Sequence, residues 1–304
     1  MSEASRLGQN DHVSSGKTSV ERGRFAPSPT GPLHLGNLRT AIASERSARL
    51  CGGEFIIRME DLDQANSKRI HGDVQLADLA AVGVSSDEEV VWQSDRFDLY
   101  REILTRLNRM GSTYECFCSR KDIAGAVAAP HGPMIAYPGT CRDLSESQRI
   151  ERRRDRKPAI RLRTDSVVGS TYDGAQDVVL WRNDGSPAYN LAVVVDDELQ
   201  GVTQVVRGED LQFITPSQNY LQSLLSFRIP NYVHVPLLVG PDGQRLAKRH
   251  GAVTLADVQA LGFSAFDVRE ALVNSLRVGS HGWDSSSNLG QWLKSLLSEP
   301  DTSD

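Results

Sequence analysis

A chain of 304 residues, 39% of them hydrophobic and 24% charged, is long and apolar enough to bury a core without disulfide or metal staples. The formal net charge of -5 excludes a surface that is basic overall, so any polyanionic partner has to be met by a local patch. Four cysteines, no apolar leader and no long apolar span lead to the expectation of a cytoplasmic protein with no membrane association.

Residues 1–20, rich in Ser, Gly, Asn and charge, read as a disordered tail. Residues 21–115 read as the first half of an α/β, doubly wound parallel sheet of the Rossmann type. A short strand Arg24–Ala26 leads to a helix Asn37–Leu50 ended by Gly52-Gly53, then to a buried strand Phe55–Met59 and a second helix before Trp92. An amphipathic helix Phe97–Met110 follows, with Leu99, Ile103, Leu104 and Leu107 on its apolar face.

Residues 116–175, Cys-rich and then Gly/Pro-rich, interrupt the α/β rhythm as an inserted module carrying a basic helix Ser145–Lys157 and a strand Ala159–Arg163. Residues 176–254 resume the fold with a strand Val178–Arg182. The apolar run Leu191–Val195 ends in Asp196-Asp197, and the strand Val202–Arg207 ends in Gly208-Glu209-Asp210. Polar groups at such strand ends are where open α/β sheets place ligands. After the strand His234–Val239, residues 255–304 read as a short helical region (Ala265–Leu276, Leu289–Leu297), too small for a further sizeable domain.

Two runs carry the chemistry. In segment 27–37, Pro27 and Pro29 stiffen a turn, Gly31 and Gly36 let backbone approach a ligand, and the helix that follows offers free N–H groups to a phosphate. His34 is placed to donate to the same group. The second run, Arg245-Leu246-Ala247-Lys248-Arg249, is by itself a basic loop, and the two runs together read as the halves of an ATP site. Activation of an acid by ATP needs no protein nucleophile, because a carboxylate attacks the α-phosphorus directly. The expected surroundings are cations for carboxylates, an acid for any cationic group of the substrate and hydroxyls for orientation. Arg24, Ser28, Glu60, Tyr189 and Arg207 supply these types at or near element ends. A magnesium cluster of Glu60, Asp61 and Asp63, a helix cap by Glu60, a core place for Tyr189 with its hydroxyl satisfied, and an ion pair of Arg207 with Glu209 or Asp210 are the alternatives.

Cys116, Cys118 and Cys141 are three soft ligands in a loop-rich insert, where a structural zinc would supply folding free energy; otherwise they are three reduced thiols. His131 is the chemically common choice of fourth ligand. Cys51 is expected as a small buried hydrophobe. The basic run 149–157 reads either as a phosphate contact or as a solvated helix face diluted by Glu151 and Asp155.

The run Arg24-Phe25-Ala26-Pro27-Ser28-Pro29-Thr30-Gly31, continued by His34-Leu35-Gly36-Asn37, resembles the "HIGH" signature of class I aminoacyl-tRNA synthetases in its glutamyl form. Residues 245–249 resemble the matching "KMSKS" loop, with Lys248 retained and the other four positions altered. The resemblance covers about residues 22–252. It implies ATP with Mg2+ bound by Pro27, Gly31, His34, Gly36, Asn37, Arg245 and Lys248, with His34 and Lys248 catalytic, and L-glutamate held by Arg24, Ser28, Glu60, Tyr189 and Arg207. It also implies one structural Zn2+ on Cys116, Cys118, Cys141 and Tyr137, the last matching a tyrosine ligand of some glutamyl-type enzymes. The early chain end together with this insert resembles the glutamyl-queuosine tRNA(Asp) synthetases. That resemblance implies a monomer that activates glutamate without tRNA and esterifies it onto the queuosine cyclopentenediol of tRNA(Asp). The alternatives are a truncated or split enzyme charging the 3′ end of tRNA(Glu), and a non-catalytic tRNA- or glutamate-binding paralogue.

Overall fold

A computed structural model describes residues 21–119, 121–123, 137–164, 170–238 and 253–277. The expected tail 1–20, His131, the second signature run with Arg245 and Lys248, and the expected helix Leu289–Leu297 lie outside the described residues. The elements run β1 (Arg22–Phe25), α1 (Leu35–Leu50), β2 (Glu54–Met59), α2 (Arg69–Ala81), β3 (Val91–Trp92), α3 (Phe97–Arg109), β4 (Thr113–Cys116), α4 (Glu146–Asp155), β5 (Ala159–Leu162), β6 (Val179–Trp181), α5 (Tyr189–Leu199), β7 (Gln204–Gly208), α6 (Thr215–Leu225), β8 (Asn231–Val235), α7 (Leu255–Ala260) and α8 (Ala265–Arg277).

The chain divides into two compact units. Among the described residues, one is built from 21–92, 202–212, 230–238 and 253–277. Its five described strands are all parallel, in the order β3-β2-β1-β7-β8. β2 is buried from Phe55 to Met59 and apolar there but for Arg58, as suits a strand covered on both faces. Leu38 and Ile42 of α1 share one buried cluster with Val268 and Leu272 of α8. A side chain at Gly23 would put its Cβ 2.9 Å from that of Ala48, so glycine there lets α1 lie directly on β1. Buried Arg39 fastens α1 through bonds from Nε to Ser275 Oγ (2.9 Å), Nη2 to Ser275 O (3.0 Å) and Nη1 to Pro236 O (2.7 Å). The chain builds outward from β1 to β2 and β3 on one side, and through β7 to β8 on the other. β1 and β7 therefore flank the point of reversal where open parallel sheets form their ligand crevice.

The other unit comprises Gln93–Gly201 and Phe213–Ile229, with the N-terminal segment outside the described residues. It holds the antiparallel sheet β4-β5-β6 and helices α3 to α6. Here one expectation is corrected: the apolar run Leu191–Val195 is the buried core of helix α5, and Asp196-Asp197 lie within that helix rather than at a strand end. A short unbroken apolar run has no period that separates a buried strand from a buried helix. Asp196, fully buried, accepts from Gln93 Nε2 (2.8 Å) and Tyr100 OH (2.7 Å) and pairs with Arg96 at 3.0 Å.

Two smaller expectations are also resolved. Cys51 is exposed, at the C-cap of α1, rather than a buried hydrophobe. The basic helix α4 buries none of its residues, and Arg153 spends its charge on Glu115 and Glu146, both at 2.8 Å. This is a solvated, salt-bridged face.

Candidate active site and metal centre

Beyond β1 the chain turns through residues 27–33 before α1 begins. The turn is held from behind: Pro27 O accepts the Glu60 N–H (2.9 Å) and Pro29 O accepts the Lys68 N–H (3.0 Å). Ser28 and Thr30 face solvent. His34 is the N-cap of α1. Its Nδ1 accepts the Asn37 N–H (3.2 Å) while Asn37 Oδ1 accepts the His34 N–H (3.3 Å), a reciprocal capping box built on histidine and asparagine. Because Nδ1 uses its lone pair on the cap, the neutral ring carries its proton on Nε2, and that atom is a hydrogen-bond donor. Asn37 thus serves the turn by fixing this tautomer.

The two glycines differ. A Cβ on Gly36 would lie 2.9 Å from Cε1 and 3.0 Å from Nδ1 of His34, so the ring position requires glycine there. A Cβ on Gly31 would meet nothing within 4 Å among the described residues. The first residues described after the second signature run, Val253 and Thr254, return to this corner. Val253 O accepts the Leu35 N–H at 2.9 Å, and Thr254 is bridged to His34.

Arg24, Glu60 and Arg207 come together at one edge of the sheet. Arg24 sits one residue from the end of β1, Glu60 directly follows β2, and Arg207 is next to last in β7, on the strands that flank β1. All three are at least nine-tenths buried. Arg58 Nη2 lies 3.3 Å from the Glu60 carboxylate. Arg207 donates to Leu211 O (3.2 Å), approaches His234 Nε2 at 3.4 Å and lies 4.7 Å above the Tyr232 ring. Burial, and then the Arg207 charge, hold the His234 pKa below its ordinary value. Arg58 and His234 escaped sequence reasoning because neither lies in a turn or at a helix start. Their alternation with Ile57, Met59, Val233 and Val235 was the available signal. Tyr189 belongs to the other unit, as the first residue of α5, partly exposed.

Among the described residues, the one cluster of three or more His, Cys, Asp or Glu able to hold a metal is Cys116, Cys118 and Cys141, whose sulfurs lie within 4.8 Å of one another. Glu60, Asp61 and Asp63 form no such group; the Asp63 carboxylate instead accepts from Asn66 Nδ2 at 2.8 Å. Tyr137 completes the cysteine cluster. Its hydroxyl lies 3.3 Å from Cys116 Sγ and 3.7 Å from Cys118 Sγ, and Cys118 and Cys141 Sγ are 3.6 Å apart. A tetrahedral ion with metal–sulfur bonds of about 2.3 Å sets sulfur–sulfur edges of about 3.8 Å, and an oxygen ligand at about 2.0 Å sets sulfur–oxygen edges of about 3.5 Å. The four donors therefore fit such an ion. The hydrogen bond between the two thiols, helped by Tyr137 and Arg161, holds the Cys116 pKa below the ordinary thiol value, while the same bond and then burial push the Cys141 thiol up. Arg161 also stacks 3.9 Å over the Tyr137 ring.

Residues 21–289 match the family described as tRNA synthetases class I (E and Q), catalytic domain. The chain belongs to this family and is a ligase of that kind. Within it, the chain is 53% identical over 263 residues, 84% of each chain, to a glutamyl-Q tRNA(Asp) synthetase of Nocardia farcinica. It is 48% identical over 265 residues to one of Cutibacterium acnes, covering 84% of this chain and 75% of that protein. A glutamate--tRNA ligase of Oleidesulfovibrio alaskensis is 41% identical over 286 residues, which span 91% of this chain and 61% of that protein. The crystal structure of glutamate-tRNA synthetase from Elizabethkingia anophelis matches with a TM-score of 0.64 at 25% identity, covering 84% of this chain and 60% of that one. No helix among the described residues is long and apolar enough to cross a membrane.

Proposed function

We propose that this ligase works in the cytoplasm, activating L-glutamate with ATP and Mg2+, without tRNA, and passing the glutamyl group to the queuosine cyclopentenediol in the anticodon of tRNA(Asp). The observation that carries the acceptor is the order of identities: 53% and 48% to proteins named for that reaction, against 41% to a glutamate--tRNA ligase aligned over more of this chain.

In this reading the buried Arg24 and Arg207 take the two carboxylates of glutamate, Glu60 takes the ammonium, and Ser28 and Tyr189 orient the substrate. The glutamate carboxylate attacks the α-phosphorus, a P–O bond forms, and the bond to pyrophosphate breaks. His34 donates from Nε2 to the phosphates, and Lys248 stabilises the charge that grows on the departing pyrophosphate. Pro27, Gly31, Gly36, Asn37 and Arg245 shape the nucleotide seat. A queuosine hydroxyl then attacks the glutamyl carbonyl and AMP leaves. The queuosine ring and the terminal ribose of tRNA both present a cis-diol, so the same chemistry serves either acceptor. A structural Zn2+ on Cys116, Cys118, Tyr137 and Cys141 holds the insert together and takes no part in these steps.

The test is incubation with labelled glutamate and ATP, comparing tRNA(Asp) with and without queuosine. Label is expected only on the queuosine-bearing RNA. Equal labelling of both, or preferential labelling of tRNA(Glu), overturns the acceptor. Glutamate-dependent pyrophosphate exchange should proceed with no RNA present, and Lys248→Ala should lower it by about 10²-fold or more.

A further inference from the structure

We propose that Gln75 is a positioning residue that sets the shape of the ligand-binding turn. Its side-chain amide donates to both ends of the turn: Nε2 lies 3.0 Å from Ser28 O and 2.7 Å from Gly31 O. Both carbonyls belong to peptide bonds that precede proline, at Pro29 and Pro32, and such bonds carry no N–H. One primary amide, with two hydrogens in a fixed plane, spans the pair.

The setting makes this a costly choice for packing alone. Gln75 is 2% exposed, on the buried stripe Gly72, Gln75 and Leu79 of α2, where an apolar residue would do the packing. Its Oε1 is buried with no hydrogen-bond partner among the described residues. A buried acceptor left unmade costs stability that leucine or methionine would not forfeit. What glutamine supplies in return is the double clamp. With the Ser28 and Gly31 carbonyls tied inward and Pro29 O held by the Lys68 N–H at 3.0 Å, the position of the exposed Ser28 side chain and of the Gly31 backbone is fixed by the clamp.

The consequence for chemistry rests on the glutamate-activation reading. Displacing a substrate-positioning segment by about 1 Å costs on the order of 10²-fold in rate. Gln75→Met keeps the length and removes both donors and the orphaned acceptor. It is expected to lower kcat of glutamate-dependent pyrophosphate exchange by about 10²-fold, with KM for ATP and glutamate changed by less than about threefold and Tm unchanged or raised. Gln75→Glu keeps the shape but turns an acceptor toward two carbonyls, and should be the slower of the two. A packing role predicts instead wild-type kcat for methionine, or a loss that follows the fraction unfolded; either result overturns the proposal.

Amide hydrogen exchange reads the clamp without any substrate. In Gln75→Met, segment 28–33 should exchange about tenfold faster while β1 and β2 are unaffected. Unchanged protection there refutes the clamp. Absence of exchange activity in the wild-type protein would refute the glutamate reading and leave the hydrogen-exchange test standing.

Discussion

Gly36→Ala isolates the geometry of His34 from the stability of the fold. The new methyl carbon would stand 2.9 Å from His34 Cε1 and 3.0 Å from Nδ1, closer than side-chain carbons approach, so the imidazole has to swing away. That movement breaks the 3.2 Å bond from the Asn37 N–H to Nδ1. Losing an N-cap acceptor costs about 1 kcal/mol, and replacing glycine by alanine within a helix returns about 1 kcal/mol. The two nearly cancel, and the melting temperature should move by only a few degrees, roughly. Activity has no such compensation. Nε2 leaves its place at the start of α1, and a misplaced preorganised donor costs on the order of 10²-fold in rate. Pyrophosphate exchange and thermal unfolding on the same preparation separate the effects. Exchange within about threefold of wild type would refute the role given to the His34 ring.

Tyr137→Phe retains the ring under Arg161 and removes only the oxygen, so purified protein should hold its metal more weakly, with zinc per chain falling well below about one and a lower melting temperature. Zinc near zero in the wild-type protein would dismiss the centre altogether. His234 gives a pH signature: its folded pKa is depressed below the ordinary 6.5, so the unfolded chain binds the proton first. Its contribution is therefore complete above 6.5 and lost as pH falls toward the folded value. His234→Asn should flatten that part of the stability curve, and parallel melting profiles of the two proteins below 6.5 would show that His234 is not its source.

The residues of the signature turn were legible because turn chemistry is local. Proline, glycine and a cap residue declare themselves within about ten positions, and so do Cys-x-Cys spacings. The helix Ala265–Arg277 was legible for the same reason, its period being written in consecutive residues, and the strand Glu54–Met59 from the Gly52-Gly53 stop that precedes its short apolar run. The helix Tyr189–Leu199 was not, since a run apolar on every side records burial and no period.

The sequence by itself determined the ingredients of the proposed site: a Pro/Gly-rich turn before a helix, two arginines and a glutamate near strand ends, and three thiols able to hold a metal. Only the tertiary structure decided how they meet. Parallel strand order put Arg24, Glu60 and Arg207 at one edge, the capping box chose the proton-bearing nitrogen of His34, and Tyr137 came to stand among three sulfurs. Each of these depends on contacts between residues distant in the chain or on the orientation of one ring, and a linear pattern carries neither.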